Sequence, residues 1–277
     1  MGADAFFLPA PPGQRLCIHH APQGQVRGAL LYLHPWAEEM NKARRMAALQ
    51  SRALAAAGYA VLQVDLLGCG DSSGDFADAS WAGWVDDALS GAHWLQVRYP
   101  QAPLWLWGLR AGCLLATEAA PRLAAPCHFL FWQPAPQGKV LLQQFMRLRA
   151  AADMQQADAK TTMDHLRLDL AEGRPVEIAG YRLPPALASG LEQASLQVPE
   201  RPSRLIWLEL STRDEATLLP ASTPRIAAWR AAGHRVDARV VPGPSFWQTQ
   251  EIEDAPALIT ATLGALDALD ALEEPAA

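Results

Sequence analysis

Cysteine is scarce in this chain: Cys17, Cys69, Cys113 and Cys127 are four of 277 residues. No two form a C-x-x-C pair and no histidine cluster accompanies them, so the spacing offers neither a zinc site nor a disulfide framework. Buried free thiols in a reducing compartment are expected. Positive charge is short as well, with 23 Lys and Arg against 29 Asp and Glu and a net charge of −6. A nucleic-acid partner is therefore not expected, because such proteins carry a basic face. No charge-free apolar run reaches the roughly 18 residues needed to span a membrane, so no membrane span is expected. The opening Met1-Gly2-Ala3-Asp4-Ala5-Phe6-Phe7 lacks the basic segment of a secretory signal, and Phe6 stands where myristoylation would want Ser or Thr. A cytoplasmic protein is the expectation.

What the chain has is apolar content: 50% of its residues are hydrophobic and 19% charged, enough for one large core with an insertion. Residues 15–20 read as a strand. Ala29-Leu30-Leu31-Tyr32-Leu33-His34 is a continuous apolar strand that ends in a polar residue, as a buried strand does where it emerges at the edge of a sheet. A charged segment, Ala37 to Met46, passes into a helix continuing to about Ala57, with Gly58 placed to end it. Tyr59 to Asp65 is another buried strand. The run D-x-x-G-x-G-x-S-x-G then begins at Asp65, and its glycines suit a tight turn. A phosphate cradle is the weaker alternative, since no Gly-Lys-Ser/Thr ending is present, and no cofactor is expected.

Trp81 to Gln96 has helical spacing and delivers the chain to Trp105-Leu106-Trp107-Gly108-Leu109-Arg110-Ala111-Gly112-Cys113. Here an apolar strand enters a sharp Gly-x-x-x-Gly turn and an Ala/Leu-rich helix follows directly, which is the layout of the nucleophile elbow of an α/β-hydrolase. The central residue would ordinarily be Ser; it is Arg110. After a strand at Cys127–Trp132, strand signals stop. Residues 138–172 are helical by composition and a strand-like piece covers Val176 to Leu183, the position where hydrolases insert a cap. The sheet resumes at Arg204–Leu210. Asp214, just past that strand, occupies the place of the acidic triad member. A helix over 222–232 and a strand over 235–241 follow, and where the fold supplies its catalytic His this chain has Phe246 or Trp247. The expected fold class is thus α/β, an α/β-hydrolase fold with a mostly parallel central sheet flanked by helices. Core segments 1–134 and 201–277 would flank a cap insertion over 135–200.

The whole chain resembles the α/β-hydrolase superfamily. More closely it resembles the bacterial group called exosortase A system-associated hydrolase 2, found with PEP-CTERM protein sorting and exopolysaccharide production. The residues that carry this are His34-Pro35-Trp36-Ala37-Glu38-Glu39-Met40-Asn41-Lys42, Asp65-Leu66-Leu67-Gly68-Cys69-Gly70-Asp71-Ser72, Gly108-Leu109-Arg110-Ala111-Gly112 and Val176-Glu177-Ile178-Ala179-Gly180-Tyr181. The resemblance implies hydrolysis of an ester, a thioester or a glycan-linked acyl group, with a small anionic or acylated substrate as partner.

The chemistry available at the elbow is unusual. Arginine has a pKa above about 12 and no usable lone pair, so Arg110 cannot attack a carbonyl. Cys113 falls a turn into the helix, among apolar neighbours. Arg110 would also stand near the positive end of the following helix, unfavourable for a cation by about 0.3 to 1 kcal/mol, so an anion should face it. Asp214 is the first candidate, Glu38 or Glu39 the next, and a bound carboxylate or phosphate the third. Three site readings stay open: a buried Arg–Asp pair in place of a triad, an anion-binding site, and a rearranged catalytic site. In the last, His34 and Glu38 or Glu39 act as acid and base around a water, Arg110 stabilises an oxyanion, and the backbone N–H groups of Trp36 and Ala111 assist. The charges of the 37–46 segment could equally be a solvated helix face. An enzyme with an unconventional site and a non-catalytic protein holding an anionic ligand or partner both fit.

Overall fold

The computed structural model describes residues 2–152 and 158–271. Ten strands and eight α-helices lie among the described residues, in the order β1 (Asp4–Pro9), β2 (Gln14–His20), β3 (Gly28–Leu33), α1 (Glu38–Ala56), β4 (Tyr59–Val64), α2 (Trp81–Arg98), β5 (Leu104–Leu109), α3 (Ala111–Ala119), β6 (Cys127–Trp132), α4 (Gly138–Ala152), α5 (Ala159–Ala171), β7 (Val176–Ile178), β8 (Tyr181–Leu183), α6 (Pro185–Gln193), β9 (Arg204–Ser211), α7 (Thr223–Ala231), β10 (Arg235–Pro242) and α8 (Pro256–Ala271). Eight of the strands form one sheet, ordered β1-β2-β4-β3-β5-β6-β9-β10. From β4 to β10 neighbouring strands run parallel, whereas β2 is antiparallel to both β1 and β4. This is the expected α/β-hydrolase sheet.

Burial explains why these runs became strands. Every residue of β3, β5 and β6 but one is buried, because helices cover both faces of a parallel sheet and a period-2 pattern is lost. One face packs α2 and α3 through Leu31, Leu33, Leu106, Trp84 and Leu115. The other packs α1 and α8 through Leu30, Tyr32, Trp105, Trp107, Met46 and Leu266. Strand β1, which sequence reading does not anticipate, pairs with β2 from Asp4↔His19 to Pro9↔Gln14. Its anchor is Phe6, whose ring stacks on Trp94 at 5.0 Å.

The glycine-rich run after β4 is a turn fastened by side chains. The Ser72 hydroxyl donates to the Asp65 carbonyl at 2.5 Å and accepts from Leu16 N–H at 2.8 Å. Asp87 on α2 accepts from Leu67 N–H at 2.8 Å while pairing with Arg15 at 2.7 Å, both side chains almost fully buried. The loop is thereby tied to β2 and α2, and its Leu67, Gly68, Cys69 and Ser72 N–H groups are already donating within the protein.

Between β6 and β9 the chain leaves the sheet for α4, α5, the β7–β8 hairpin and α6. The helical expectation over 138–172 resolves into α4 and α5; its residues 153–157 lie outside the described residues. The excursion closes on itself at its root. Gly138 N–H donates to Ala194 O at 2.9 Å and Leu196 N–H to Pro136 O at 3.1 Å, so the entry and exit segments are bonded together by an isolated antiparallel bridge.

Candidate functional site

The site gathers where β3 and β5 end, next to each other in the sheet, at the switch in strand order that places ligands in open α/β sheets. Arg110 follows β5 and caps α3 with φ 55° and ψ −111°, a conformation that costs a non-glycine residue about 1 to 3 kcal/mol. Its neighbours make the turn possible. A Cβ at Gly112 would lie 2.0 Å from Leu33 O, and one at Gly108 would lie 2.5 Å from Cys113 N, so strand, elbow and helix pack at a distance only glycine permits. Ala37, ahead of α1, has nearly the same backbone, φ 50° and ψ −132°.

These two turns bring the N-termini of α1 and α3 together with opposite charges on them. The Arg110 guanidinium donates through Nε and Nη2 to Glu39 Oε1 at 3.2 and 3.1 Å, and through Nη2 to Gln144 Oε1 on α4 at 2.7 Å. Glu39 is 6% exposed and Arg110 9%. The carboxylate gains both from the cation and from the helix terminus that carries it, whereas Arg110 sits against the positive end of α3. Glu39 offsets that penalty. Below the pair, the Trp247 ring lies 5.8 Å from Arg110 Cζ, within the range of a cation–π contact. Trp247, one of the two residues expected where the fold supplies a histidine, thus faces the cation without offering it a base.

Glu38 completes the cluster. Its Oε2 is buried without a hydrogen-bond partner, and burial, reinforced by the neighbouring Glu39 charge, raises its carboxyl above the usual carboxylate range despite Arg110. Around these groups the inserted segment supplies an aromatic wall. Phe145 of α4 meets Trp36 at 4.6 Å, Tyr181 of β8 meets Phe76 at 5.1 Å, and the Tyr181 hydroxyl accepts from Asn41 Nδ2 at 3.4 Å.

Two expected participants lie elsewhere. The anticipated Arg110–Asp214 pair is replaced by Arg110–Glu39, since the loop after β9 leaves Asp214 exposed. The buried acid at that end is Glu209, whose oxygens accept from Trp207 Nε1 at 2.9 Å and Leu219 N–H at 2.7 Å and so hold the loop itself. His34, expected to act with the glutamates around a water, is 4% exposed. Its Nε2 accepts from Leu66 N–H at 3.3 Å and its Nδ1 lies 2.6 Å from Pro35 O, which makes Nδ1 the protonated nitrogen. Burial lowers its pKa. Both nitrogens are engaged with backbone, and the ring is a fixed neutral strut. Ala111, as the first residue of α3, carries an N–H that helix geometry leaves without an intrahelical acceptor. Cys113 is fully buried against Trp132 O, and burial holds its thiol well above its usual pKa.

Gln144 escapes sequence reading because nothing local marks it; only the docking of α4 brings it to Arg110. Among the described residues no group of His, Cys, Asp and Glu gathers as a metal-binding set, and no helix is long and apolar enough to cross a membrane.

A sheet of this order with a strained elbow after its fifth strand defines an α/β-hydrolase fold. The chain belongs to the serine aminopeptidase S33 family, whose model matches residues 24–171, spanning both elbow-forming turns. Over 108 residues it is 32% identical to human Protein ABHD12B, a match covering 39% of this chain and only 28% of that protein. Solved structures agree on the fold. Est1E from Butyrivibrio proteoclasticus with bound ferulic acid has a TM-score of 0.64 at 16% identity, covering 96% of this chain and 100% of that one. The carboxyl esterase of Bacillus coagulans with glycerol gives 0.63 at 14%, covering 98% and 99%. The lidless α/β serine hydrolase XC6422 of Xanthomonas campestris gives 0.57 at 18%, covering 99% and 96%.

Proposed function

We propose that this member of the serine aminopeptidase S33 family is a binding or accessory protein in which the hydrolase elbow no longer performs acyl transfer. One observation carries the reading: the side chain at the nucleophile position is a cation closed by Glu39 and Gln144, with the Trp247 ring rather than a base beside it. Acyl transfer needs a nucleophile, a base within hydrogen-bond reach and an orienting carboxylate. The carboxylate here serves the cation instead. Anion capture by Arg110 is less favoured than sequence alone suggests, because Glu39 and Gln144 already occupy its fork. The inserted segment 135–200 acts as the cap over this site, supported by the Phe145–Trp36 and Tyr181–Phe76 contacts.

The exosortase A system-associated hydrolase 2 group is the finer assignment, with a role beside PEP-CTERM sorting and exopolysaccharide production. Its support is spatial. The four sequence runs that carry the resemblance touch one another, through Arg110–Glu39, Asn41–Tyr181 and the Leu66 N–H donated to His34 Nε2 at 3.3 Å. The test uses the intact chain with a fluorophosphonate probe and p-nitrophenyl acetate. Neither labelling nor turnover above background is expected, and stoichiometric labelling of the folded chain would overturn the reading.

One feature favours a second reading, hydrolysis of an ester, thioester or glycan-linked acyl group at a rearranged site. Glu38 offers a half-buried carboxyl with one unpartnered oxygen and a raised pKa near a fixed cation, which is what a general acid needs. Arg110 and the Ala111 and Trp36 N–H groups would then face the developing oxyanion. That reading requires turnover that Glu38→Gln lowers by about 100-fold or more with the fold unchanged.

A further inference from the structure

Helix α4 packs against both α5 and α6, but α5 and α6 scarcely meet. The gap between them is a cavity of about 390 Å³, inside the size range of small-molecule sites, which begins near 300 Å³. Its floor is apolar, formed by Leu142 and Met146 of α4, Leu170 of α5 and Ala188 of α6. Its rim is polar, with Arg167 from α5 and Glu192 from α6.

The two rim charges are not equally satisfied. Glu192 has a countercharge from another helix, Lys139 Nζ at 3.9 Å. Among the described residues the ion partner of Arg167 is Asp164 alone, three residues earlier on its own helix, at 3.4 Å with both side chains about half exposed. Such a pair contributes about 0 to 1 kcal/mol, so an incoming carboxylate can replace Asp164 at little cost. Methionine in the floor lets the apolar wall adapt to a chain.

We infer that this cavity binds a small amphiphile with one anionic head, of the class of a medium-chain carboxylic acid. The chain lies over Leu142, Met146, Leu170 and Ala188, and the carboxylate bonds the Arg167 guanidinium. This site is separate from Arg110 and its occupancy does not depend on what happens at the elbow.

The test titrates the intact chain with decanoate by isothermal calorimetry, alongside 1-decanol and butyrate, with circular dichroism melts confirming that each variant is folded. Saturable one-to-one binding of decanoate is expected. Decanol, butyrate and Arg167→Ala should each weaken binding by about tenfold or more, the size of a lost charge-assisted hydrogen bond or a lost apolar chain. Ser189→Trp, at the mouth of the cavity, should abolish binding. Absence of saturable binding below about 1 mM, an affinity of only about −4 kcal/mol, overturns the proposal. So does decanoate affinity that survives unchanged in either folded variant.

Discussion

At the scale of single residues, the Arg110–Glu39 pair governs what can be altered. Removing one partner of a buried pair leaves the other charge uncompensated, which costs about 3 to 5 kcal/mol. Glu39→Gln should therefore destabilise the protein by about 3 kcal/mol in urea unfolding. The double variant Arg110→Met with Glu39→Leu should recover most of that loss, because it removes both charges. Histidine burial sets the acid limit. Burial lowers the pKa of His19, His20 and His34 below the usual 6.5, so between 6.5 and the lowered values the unfolded chain binds more protons than the folded one. Stability is expected to fall as pH drops through that window and to be level above it. Unfolding midpoints measured from pH 8 to pH 5 check this, and His34→Asn should flatten the slope. Sequence singled out Arg110 by position and left Phe246 and Trp247 as alternatives at the histidine position. It could not reveal Glu39 as the partner, because choosing among Glu38, Glu39 and Asp214 requires the approach of α1 and the course of the loop after β9.

At the scale of elements, the elbow is a steric device before it is a chemical one. The 2.0 Å approach of a Gly112 Cβ to Leu33 O cannot be relieved by rotating a side chain, since backbone stands on both sides. Gly112→Ala should consequently leave little folded protein in the soluble fraction, whereas Ala111→Gly in the same turn should express and melt within several degrees of the wild type. The central strands were legible because parallel strands buried on both faces are continuous apolar runs. Edge elements were not. In β1 only Phe6 and Leu8 alternate inward, too short a pattern to separate from a loop, and its partner β2 is what makes it a strand. The last helix, α8, is mostly Ala and Leu without a sharp polar face. It earns its place by covering Trp132, whose indole donates to Thr262 at 3.1 Å.

At the scale of the whole molecule, the core shields its reactive groups. All four cysteines are buried and free; burial pushes Cys17 and Cys127 up to about 12 and raises Cys69 and Cys113 as well. Native protein at pH 8 should resist Ellman's reagent, and unfolded protein should release four equivalents. The fold class could be read from the alternation of strands, turns and helices, while the contacts of the inserted segment with Arg110 and Trp36 could not, since they join residues far apart in sequence. The bonded root of that segment, Pro136 to Leu196 and Gly138 to Ala194, has an engineering consequence. The chain departs and returns at one point, so the excursion is a detachable cassette. A graft that joins residue 136 to residue 196 by a short linker shortens the β6–β9 crossover and leaves the other strand connections as they are, and Trp36, Phe76 and Trp81 are among the residues it would bare. Conversely, the cassette's matched ends suit it to transplantation onto another sheet of the same strand order.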